Sequence, residues 1–285
     1  MTGQADTHPL SRNQELLCAL DDGPAAGALS EWYTINYGLR VDGAVDTRVL
    51  GQALDDIVAR HEILRSSLVR TGERWKQVVH PPAPVSLTVR DVPAVPSHSR
   101  HVRAHELLNE IEARSFSPGD VPLLRAELVR FDPADSLLVL TTHHIAADAW
   151  SMGVIIRDLR AFYAARHGRR PHGLPDACQY RDFARWQRAN TDAGLAARRY
   201  WRQKLRGAQI LAIRADRALP RGAADPYSVH RFTIDAELSR ATARLASRTR
   251  SSLFVVLLAA YNILARQLTG SVDLTVPTFT AGGAV

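Results

Sequence analysis

Two adjacent histidines and an aspartate stand close together in the stretch HHIAADAWS (143–151). His144 and Asp148 are four residues apart, and the histidines directly follow the apolar run SLLVLTT (136–142). A neutral imidazole near pH 7 accepts a proton from an attacking amine, hydroxyl or thiol, so general-base catalysis is the first chemistry to consider for the pair. Such chemistry requires rigid elements that hold the imidazole in place.

Other interpretations of the histidine pair follow from the residues alone. The sequence has no G-x-S-x-G elbow, and no cysteine has a nearby base, so covalent catalysis is not indicated. HHxxxD offers two or three metal ligands, but the HExxH spacing and its glutamate are absent, and we predict no metal site. For an isolated pair, two buried core histidines without a chemical role are the more ordinary interpretation.

The pair lies in a predicted connection between a strand and a helix. The run 136–142 predicts the strand, and apolar residues recur at helical spacing after Asp148. These residues are Met152, Ile155, Ile156, Leu159, Phe162 and Tyr163. Rigid elements on both sides fix such a connection, which is a common position for catalytic side chains.

Strands and helices are mixed along the chain, which predicts an α/β (α+β) fold. Strands are predicted at 34–41, 85–92, 123–131, 136–142, 228–234 and 272–277. Asp46 is predicted to cap a helix whose apolar stripe is Leu50, Ala53, Leu54, Ile57 and Val58. Further helices are predicted around 107–111, 180–190, 193–206, 236–249 and 252–268. The Gly- and Pro-containing stretch 167–180 predicts a boundary between two lobes.

The composition excludes several classes of protein. The chain has 285 residues, of which 46% are hydrophobic and 23% charged, as in an ordinary globular protein. Cys18 and Cys178 form no CxxC pair, so neither a zinc site nor a disulfide framework is indicated, and a reduced, cytoplasmic setting fits. The apolar run 253–260 is too short to span a bilayer and predicts a core helix. The net charge of +7 comes from scattered arginines, which favour a solvated surface or an acidic protein partner over nucleic acid.

Seven segments resemble, in order, the condensation domains of non-ribosomal peptide synthetases. HHIAADAWS resembles the family's H-H-x-x-x-D-G-W-S, and RHEILR (60–65) resembles its R-H-E-x-L-R. The others are PLSRNQELLCAL (9–20), YRDFARWQ (180–187), YWRQKLRGA (200–208), ADRALP (215–220) and VDLTVPTFTAGG (272–283). HHxxxD also occurs in other acyltransferases, but the segments together cover nearly the whole chain, which makes the resemblance specific.

The resemblance implies two lobes, each like chloramphenicol acetyltransferase, with a tunnel between them. Residues 1–175 would form the N-terminal lobe with HHxxxD, and residues 176–285 the linker helices and only the start of the C-terminal lobe. The implied reaction joins a carrier-bound acyl or peptidyl thioester to an amine or, in some members, a hydroxyl. Donor and acceptor carrier proteins would present the substrates on phosphopantetheine arms, with neighbouring synthetase domains or the rest of the C-terminal lobe as further partners. No directly bound cofactor, nucleic acid or membrane is implied.

The resemblance also implies roles for five residues. His144 matches the family's active-site histidine and would act as a base toward the acceptor, or orient it and stabilise the tetrahedral intermediate. His143 would be structural. Asp148 would hold the connection through a buried ion pair with Arg65, and Arg60 is a second candidate partner.

The chain departs from the family pattern at two positions. Ala149 stands where the family has glycine, so a requirement for positive φ or for close approach of a thioester would impair activity. Gly283 stands where the family usually has arginine. Trp186 matches a family tryptophan, and both it and Trp150 are expected to pack in the core.

With only the start of a second lobe, we expect the chain to expose apolar surface around 253–268 and 272–277. We also expect it to self-associate and to need the rest of that lobe for condensation. The alternative interpretation is a truncated, non-catalytic docking module descended from a condensation domain. A third is a stand-alone acyltransferase that acts on a small alcohol or amine.

Overall fold

The computed structural model describes residues 7–20, 33–71, 74–112, 116, 120–168, 171–209, 211, 213 and 232–278. The chain divides into two compact units, Met1–Thr191 and Asp192–Val285. Compactness alone does not delimit the lobes of a family fold, so the boundary between 1–175 and 176–285 stays a prediction. Each unit is described below by itself.

The first unit contains seven strands and five α-helices in its described residues. The strands are β1 (Thr7–Pro9), β2 (Thr34–Asp42), β3 (Ser66–Thr71), β4 (Arg74–Val79), β5 (Ser86–Asp91), β6 (Leu124–Asp132) and β7 (Asp135–His143). The helices are α1 (Arg12–Leu20), α2 (Thr47–Arg60), α3 (Arg100–Glu112), α4 (Ala149–Arg166) and α5 (Tyr180–Ala189), with short 3-10 turns at Glu62–Arg65 and Ser97–Ser99. The mixed α/β class predicted from the sequence is the class observed.

Strand β7, which delivers the histidines, lies inside a four-stranded sheet of order β2-β7-β6-β5. It pairs antiparallel with β2 and β6, while β5 and β6 are parallel. All its residues from Ser136 to His143 are buried. The other three strands form a second sheet of order β1-β4-β3.

The buried faces of β7 alternate between two hydrophobic clusters. Leu138 and Leu140 pack with side chains of α2 and α4, whereas Leu137 and Val139 pack with side chains of α3. Successive side chains of a strand point to opposite faces, which explains why the run LLVL is apolar throughout. The sheet therefore has helices on both faces, and β7 is buried up to its last residue.

Helix α2 has the predicted cap and the predicted buried stripe. The Asp46 side chain accepts a hydrogen bond from the Val49 amide at 3.0 Å. All five residues of the predicted stripe are buried. On the other face, α3 lies so close to β2 that a Cβ atom at Gly38 would be 2.9 Å from Leu108 Cδ2, so a larger residue there would require the Leu108 side chain to shift.

Helix α6 (Thr191–Lys204) begins at the last residue of the first unit and continues in the second, which also contains α7 (Ala236–Arg248) and α8 (Leu253–Thr269). The prediction that α8 is a core helix is wrong for this unit, because Ala265 is its only buried residue. The expected exposure of apolar surface is found, with Ile263 61% and Val272 79% exposed. Within 232–278, α8 packs mainly against α7, which leaves most of its apolar side chains uncovered.

The two strands predicted in the second unit are not observed as strands. Residues 228–231 lie outside the described residues, and 232–234 form no strand. Of 272–277, only Thr275 forms a bridge. Among the described residues no single helix is long and apolar enough to cross a bilayer. Helices α7 and α8 have sufficient length and apolar character only when taken together, and they are bent by 105° relative to each other.

Candidate active site

His144 is the first residue after β7, and its side chain is exposed. Its backbone amide donates to the Tyr33 carbonyl at 2.7 Å, which extends the pairing of β7 with β2 by one residue. The imidazole thus stands at the end of a buried strand but remains accessible to a substrate.

The connection between β7 and α4 is fixed by local hydrogen bonds. The amides of Ala146 and Ala147 both donate to the His143 carbonyl, at 2.9 and 3.1 Å. The Ile145 amide donates to His143 Nδ1 at 3.0 Å. His143 is 2% exposed, so its ring is buried within the connection where it accepts this bond. The Ile145 side chain is buried in a cluster with Phe116 and Leu123.

The surroundings of His144 favour its neutral form. Partial burial of the ring lowers the pKa of His144 below the ordinary 6.5, while the charge of Asp148 and the backbone of Ala147 act in the opposite direction. At pH 7 the imidazole is therefore mostly unprotonated and accepts a proton. The described residues contain no group of three or more His, Cys, Asp or Glu side chains that could hold a metal ion.

Asp148 caps α4 and does not form the predicted ion pair with Arg65. Its Oδ1 accepts hydrogen bonds from the Ser151 amide at 2.7 Å and from Ser151 Oγ at 2.6 Å. Arg65 instead donates to the His80 carbonyl and lies 3.5 Å from Glu62 Oε1. Asp148 is exposed, not buried. An N-cap needs only the three residues that follow it, so this local arrangement is available to Asp148 without a distant partner.

This correction yields a stability prediction for Asp148. Asp148→Ala is expected to lower the free energy of unfolding by about 1 kcal/mol, because α4 loses its N-cap acceptor. Asp148→Asn should cost much less, since asparagine caps as well as aspartate. Urea denaturation of both variants measures the difference. A loss of several kcal/mol in Asp148→Ala, or coupling to Arg65→Ala in a double-mutant cycle, would reinstate the buried ion pair.

Arg60 does bind a carboxylate on α4, but that carboxylate is Asp158. Arg60 Nε lies 3.0 Å from Asp158 Oδ2, and His61 Nε2 lies 2.9 Å from the same oxygen. Arg157 Nε donates to Asp158 Oδ1 at 2.8 Å. Asp158 is fully buried. The segment RHEILR is thereby attached to the helix that begins beside His144.

Burial and hydrogen bonding act against each other in this Asp158 cluster. Burial raises the pKa of Asp158, but hydrogen bonds from Arg157, His61 and Arg60 together outweigh it and lower the pKa below the ordinary value. Burial lowers the pKa of His61, although Asp158 opposes this. Sequence reasoning missed Asp158. The available signal was a carboxylate three residues after Ile155, on the apolar face of the predicted helix.

The two tryptophans and the two positions that depart from the family pattern were also assigned roles from the sequence. Trp150 is 74% exposed and Trp186 is 44% exposed, so neither packs in the core as expected. The helical period explains this, because Trp150 lies opposite the stripe of Met152 and Trp186 lies two residues after the buried Ala184. Ala149 is the first residue of α4 and does not have positive φ, so the alanine causes no backbone strain. Gly283 lies outside the described residues.

The segments PLSRNQ and YRDFARWQ meet in the fold although they are far apart in the chain. Arg188 donates to the Leu10 carbonyl through Nε at 2.9 Å, and Gln187 Oε1 accepts from the Arg12 amide at 2.7 Å. Arg185 lies 2.9 Å from His8 Nδ1. Helix α5 is therefore attached along its length to β1 and to the start of α1, a proximity that the sequence alone did not indicate.

The sequence is similar to that of known condensation domains. The sequence model of the family described as "Condensation domain" matches residues 6–283. Chondramide synthase cmdD of Chondromyces crocatus is 36% identical over 97% of this chain, and phosphinothricin tripeptide synthetase PhsC of Streptomyces viridochromogenes is 33% identical over 97%. The chain spans only 7% and 26% of these two relatives.

Solved structures agree with the fold. SgcC5 of Streptomyces globisporus, in complex with (R)-(-)-1-(2-naphthyl)-1,2-ethanediol and sucrose, matches with a TM-score of 0.86 and 42% identity over 96% of this chain and 63% of its own. A second match is a structure solved for condensation domain-mediated chain release from the enacyloxin polyketide synthase. Its TM-score is 0.69 and its identity 27%, and the match covers 95% of this chain and 52% of the other. The predicted fold class, α/β with chloramphenicol acetyltransferase-like lobes, is confirmed by such matches.

Proposed function

This chain belongs to the condensation-domain family, and from that premise we propose that it transfers an acyl or peptidyl group from a carrier-bound thioester to an amine or hydroxyl acceptor in non-ribosomal peptide biosynthesis. The observation that supports this best is the state of His144. Its imidazole is exposed, has a pKa lowered by partial burial, and stands in a connection whose backbone is hydrogen-bonded at each end.

The proposed step assigns one proton to His144. The acceptor nitrogen or oxygen attacks the thioester carbonyl carbon, and the imidazole accepts the proton that this atom loses. The carbon–sulfur bond then breaks, and the proton passes to the phosphopantetheine sulfur, which leaves as a thiol. No oxidant, reductant or metal takes part, and His144 returns to its neutral form. A positioned general base of this kind contributes about 10²–10⁴-fold to a rate.

Donor and acceptor carrier proteins are the proposed partners, because relatives such as the phosphinothricin tripeptide synthetase are peptide synthetases. Phosphopantetheine arms would present both substrates, and the chain itself is proposed to bind no cofactor. A hydroxyl acceptor is included because the structure of SgcC5, the 42% identical match, holds a 1,2-diol. The non-catalytic docking alternative has no comparable support, since the imidazole is accessible and neutral at pH 7.

The proposal is tested with an acyl group loaded on the phosphopantetheine of a carrier protein, offered together with an amine or a 1,2-diol. The 285-residue chain is assayed by itself and as a fusion to the part of SgcC5 that the match does not cover. Amide or ester product from the carrier-bound donor, in either form, supports the proposal. Product from acyl-coenzyme A alone would indicate the stand-alone acyltransferase, and no product with any combination would contradict the proposed function.

The lowered pKa of His144 yields a prediction for the pH dependence. We expect kcat/KM to rise with pH as His144 loses its proton, with the midpoint of the acid limb below 6.5. Asp148→Asn removes the negative charge that raises this pKa but keeps the N-cap, so the midpoint should move to still lower pH. Initial rates between acid and neutral pH measure both midpoints. An acid limb above 6.5, or one that does not respond to Asp148→Asn, would exclude His144 as the titrating base.

A further inference from the structure

We propose that Gln14 is a positioning residue for His144, an inference that rests on the proposed function only where it concerns the rate. Gln14 is 2% exposed and lies in the first turn of α1, far from His144 in sequence. Its Nε2 donates to the carbonyl of Ile145, the residue that follows His144, at 3.3 Å.

A capping box fixes the orientation of the Gln14 side chain. Ser11 is the N-cap of α1, and its Oγ accepts from the Gln14 amide at 3.1 Å. In return, the Ser11 amide donates to Gln14 Oε1 at 3.0 Å. This reciprocal pair is the arrangement that S-x-x-Q forms at the start of a helix. Because the Ser11 amide needs an acceptor, Oε1 must face it, and Nε2 is left to face the Ile145 carbonyl.

The capping box is itself attached to a second helix. Ser11 Oγ and the hydroxyl of Tyr180 lie 2.8 Å apart, and Tyr180 is the first residue of α5. Burial raises the pKa of Tyr180, so its hydroxyl stays protonated and is available as a hydrogen-bond donor. Ser11 is fully buried, as are the contacts that it makes with Gln14. Gln14 thus connects a rigid support, made by α1 and α5, to the histidine connection.

The hydrogen bond from Gln14 completes the constraints on the peptide next to His144. On the strand side, the His144 amide is held by the Tyr33 carbonyl, and the Ile145 amide is held by His143. On the α1 side, the Ile145 carbonyl is held by Gln14. Without that donor, the peptide that links Ile145 to Ala146 is held only through the bond of the Ala146 amide to the His143 carbonyl, and His144 loses one of the constraints beside it. Small displacements of a catalytic group are costly, on the order of 10²-fold for 1 Å.

The test separates positioning from helix capping with a matched set of variants. Gln14→Met removes both the cap acceptor and the donor to Ile145. Gln14→Glu keeps the cap acceptor and, in its ionised form, lacks the donor; it serves at a pH that keeps the carboxylate ionised if the methionine variant folds poorly. Ser11→Ala removes the other half of the capping box and leaves the donor of Gln14 in place. The full chain is used throughout, with hydrogen exchange of 143–148 followed by mass spectrometry and with kcat and KM from the condensation assay.

We expect both Gln14 variants to speed exchange in 143–148 at least about threefold and to lower kcat about tenfold, with KM for the acceptor unchanged. Ser11→Ala should lower thermal stability but change that exchange and kcat clearly less than the Gln14 variants do, because Gln14 Nε2 still donates to the Ile145 carbonyl. Equal behaviour of Ser11→Ala and the Gln14 variants would reduce Gln14 to a helix cap and overturn the proposal, as would unaltered exchange in both Gln14 variants. If wild type forms no product, the proposed function fails, while the exchange comparison still decides the structural claim.

Discussion

His144→Ala is expected to lower the condensation rate about 10²–10⁴-fold while leaving the fold intact. The side chain is exposed at the end of β7, so its removal leaves no buried cavity. The backbone bond from the His144 amide to Tyr33 does not depend on the side chain and remains. What is lost is the neutral imidazole that accepts the acceptor's proton. Product formation by mass spectrometry and far-UV circular dichroism, measured on the same preparation, give both halves of the result.

His143→Ala is the informative contrast. His143 is 2% exposed, and its Nδ1 accepts from the Ile145 amide, so the alanine variant leaves a buried donor without that acceptor. It should lose stability as well as activity. Retention of full activity in His144→Ala, or an equal loss of structure in the two variants, would remove His144 from the proposed chemistry.

Asp158→Ala is expected to destabilise the first unit strongly, by about 3–5 kcal/mol. Asp158 is fully buried, and Arg60, which is 13% exposed, would lose its carboxylate in a site with little water. His61 would lose the same partner. Breaking one side of a buried ion pair is costly because the remaining charge stays desolvated. Chemical denaturation with a two-state fit measures the loss.

Arg157→Ala is the matched control for this cluster. Its side chain is 59% exposed, so removing it should cost less than about 1 kcal/mol although it contacts the same carboxylate. Arg60→Ala combined with Asp158→Ala should cost less than the sum of the single losses, because each partner is harmful mainly when left alone. Additive losses, or a small loss in Asp158→Ala, would show that the cluster does not hold α4 to the segment RHEILR.

Local periodicity predicted most of the first unit. The alternation in 34–41 and 85–92 predicted β2 and β5, and the stripe after Asp46 predicted α2. One face of α2 is buried, and one face of each strand packs in part against the same core. The position of His144 between a strand and a helix also followed from the sequence alone. These features depend on residues close together in the chain, where a period of two or 3.6 residues determines which side chains are covered.

Partners that are distant in sequence were not predictable in this way. The choice between Asp148 and Asp158 for Arg60 depends on how α2 and α4 pack, and spacing along the chain does not contain that information. The hydrogen bond from Gln14 to Ile145 has the same origin, since it joins α1 to a connection far along the chain. In the second unit, the apolar run of α8 indicated a core position, but burial depends on what packs against it, which the run does not specify.

Transfer of the acyl group can be followed on the carrier protein itself. A carrier protein with a labelled acyl thioester is mixed with an acceptor and with an excess of the chain, used alone or as the fusion, whichever gives product. Intact-mass spectrometry then records the carrier protein and the product over time. With wild type, free carrier thiol and acylated acceptor are expected to appear together in equal amounts; with His144→Ala both should appear only at the background rate. Equal transfer with His144→Ala, or release of the acyl group as free acid without acylated acceptor, would rule out His144-dependent acyl transfer.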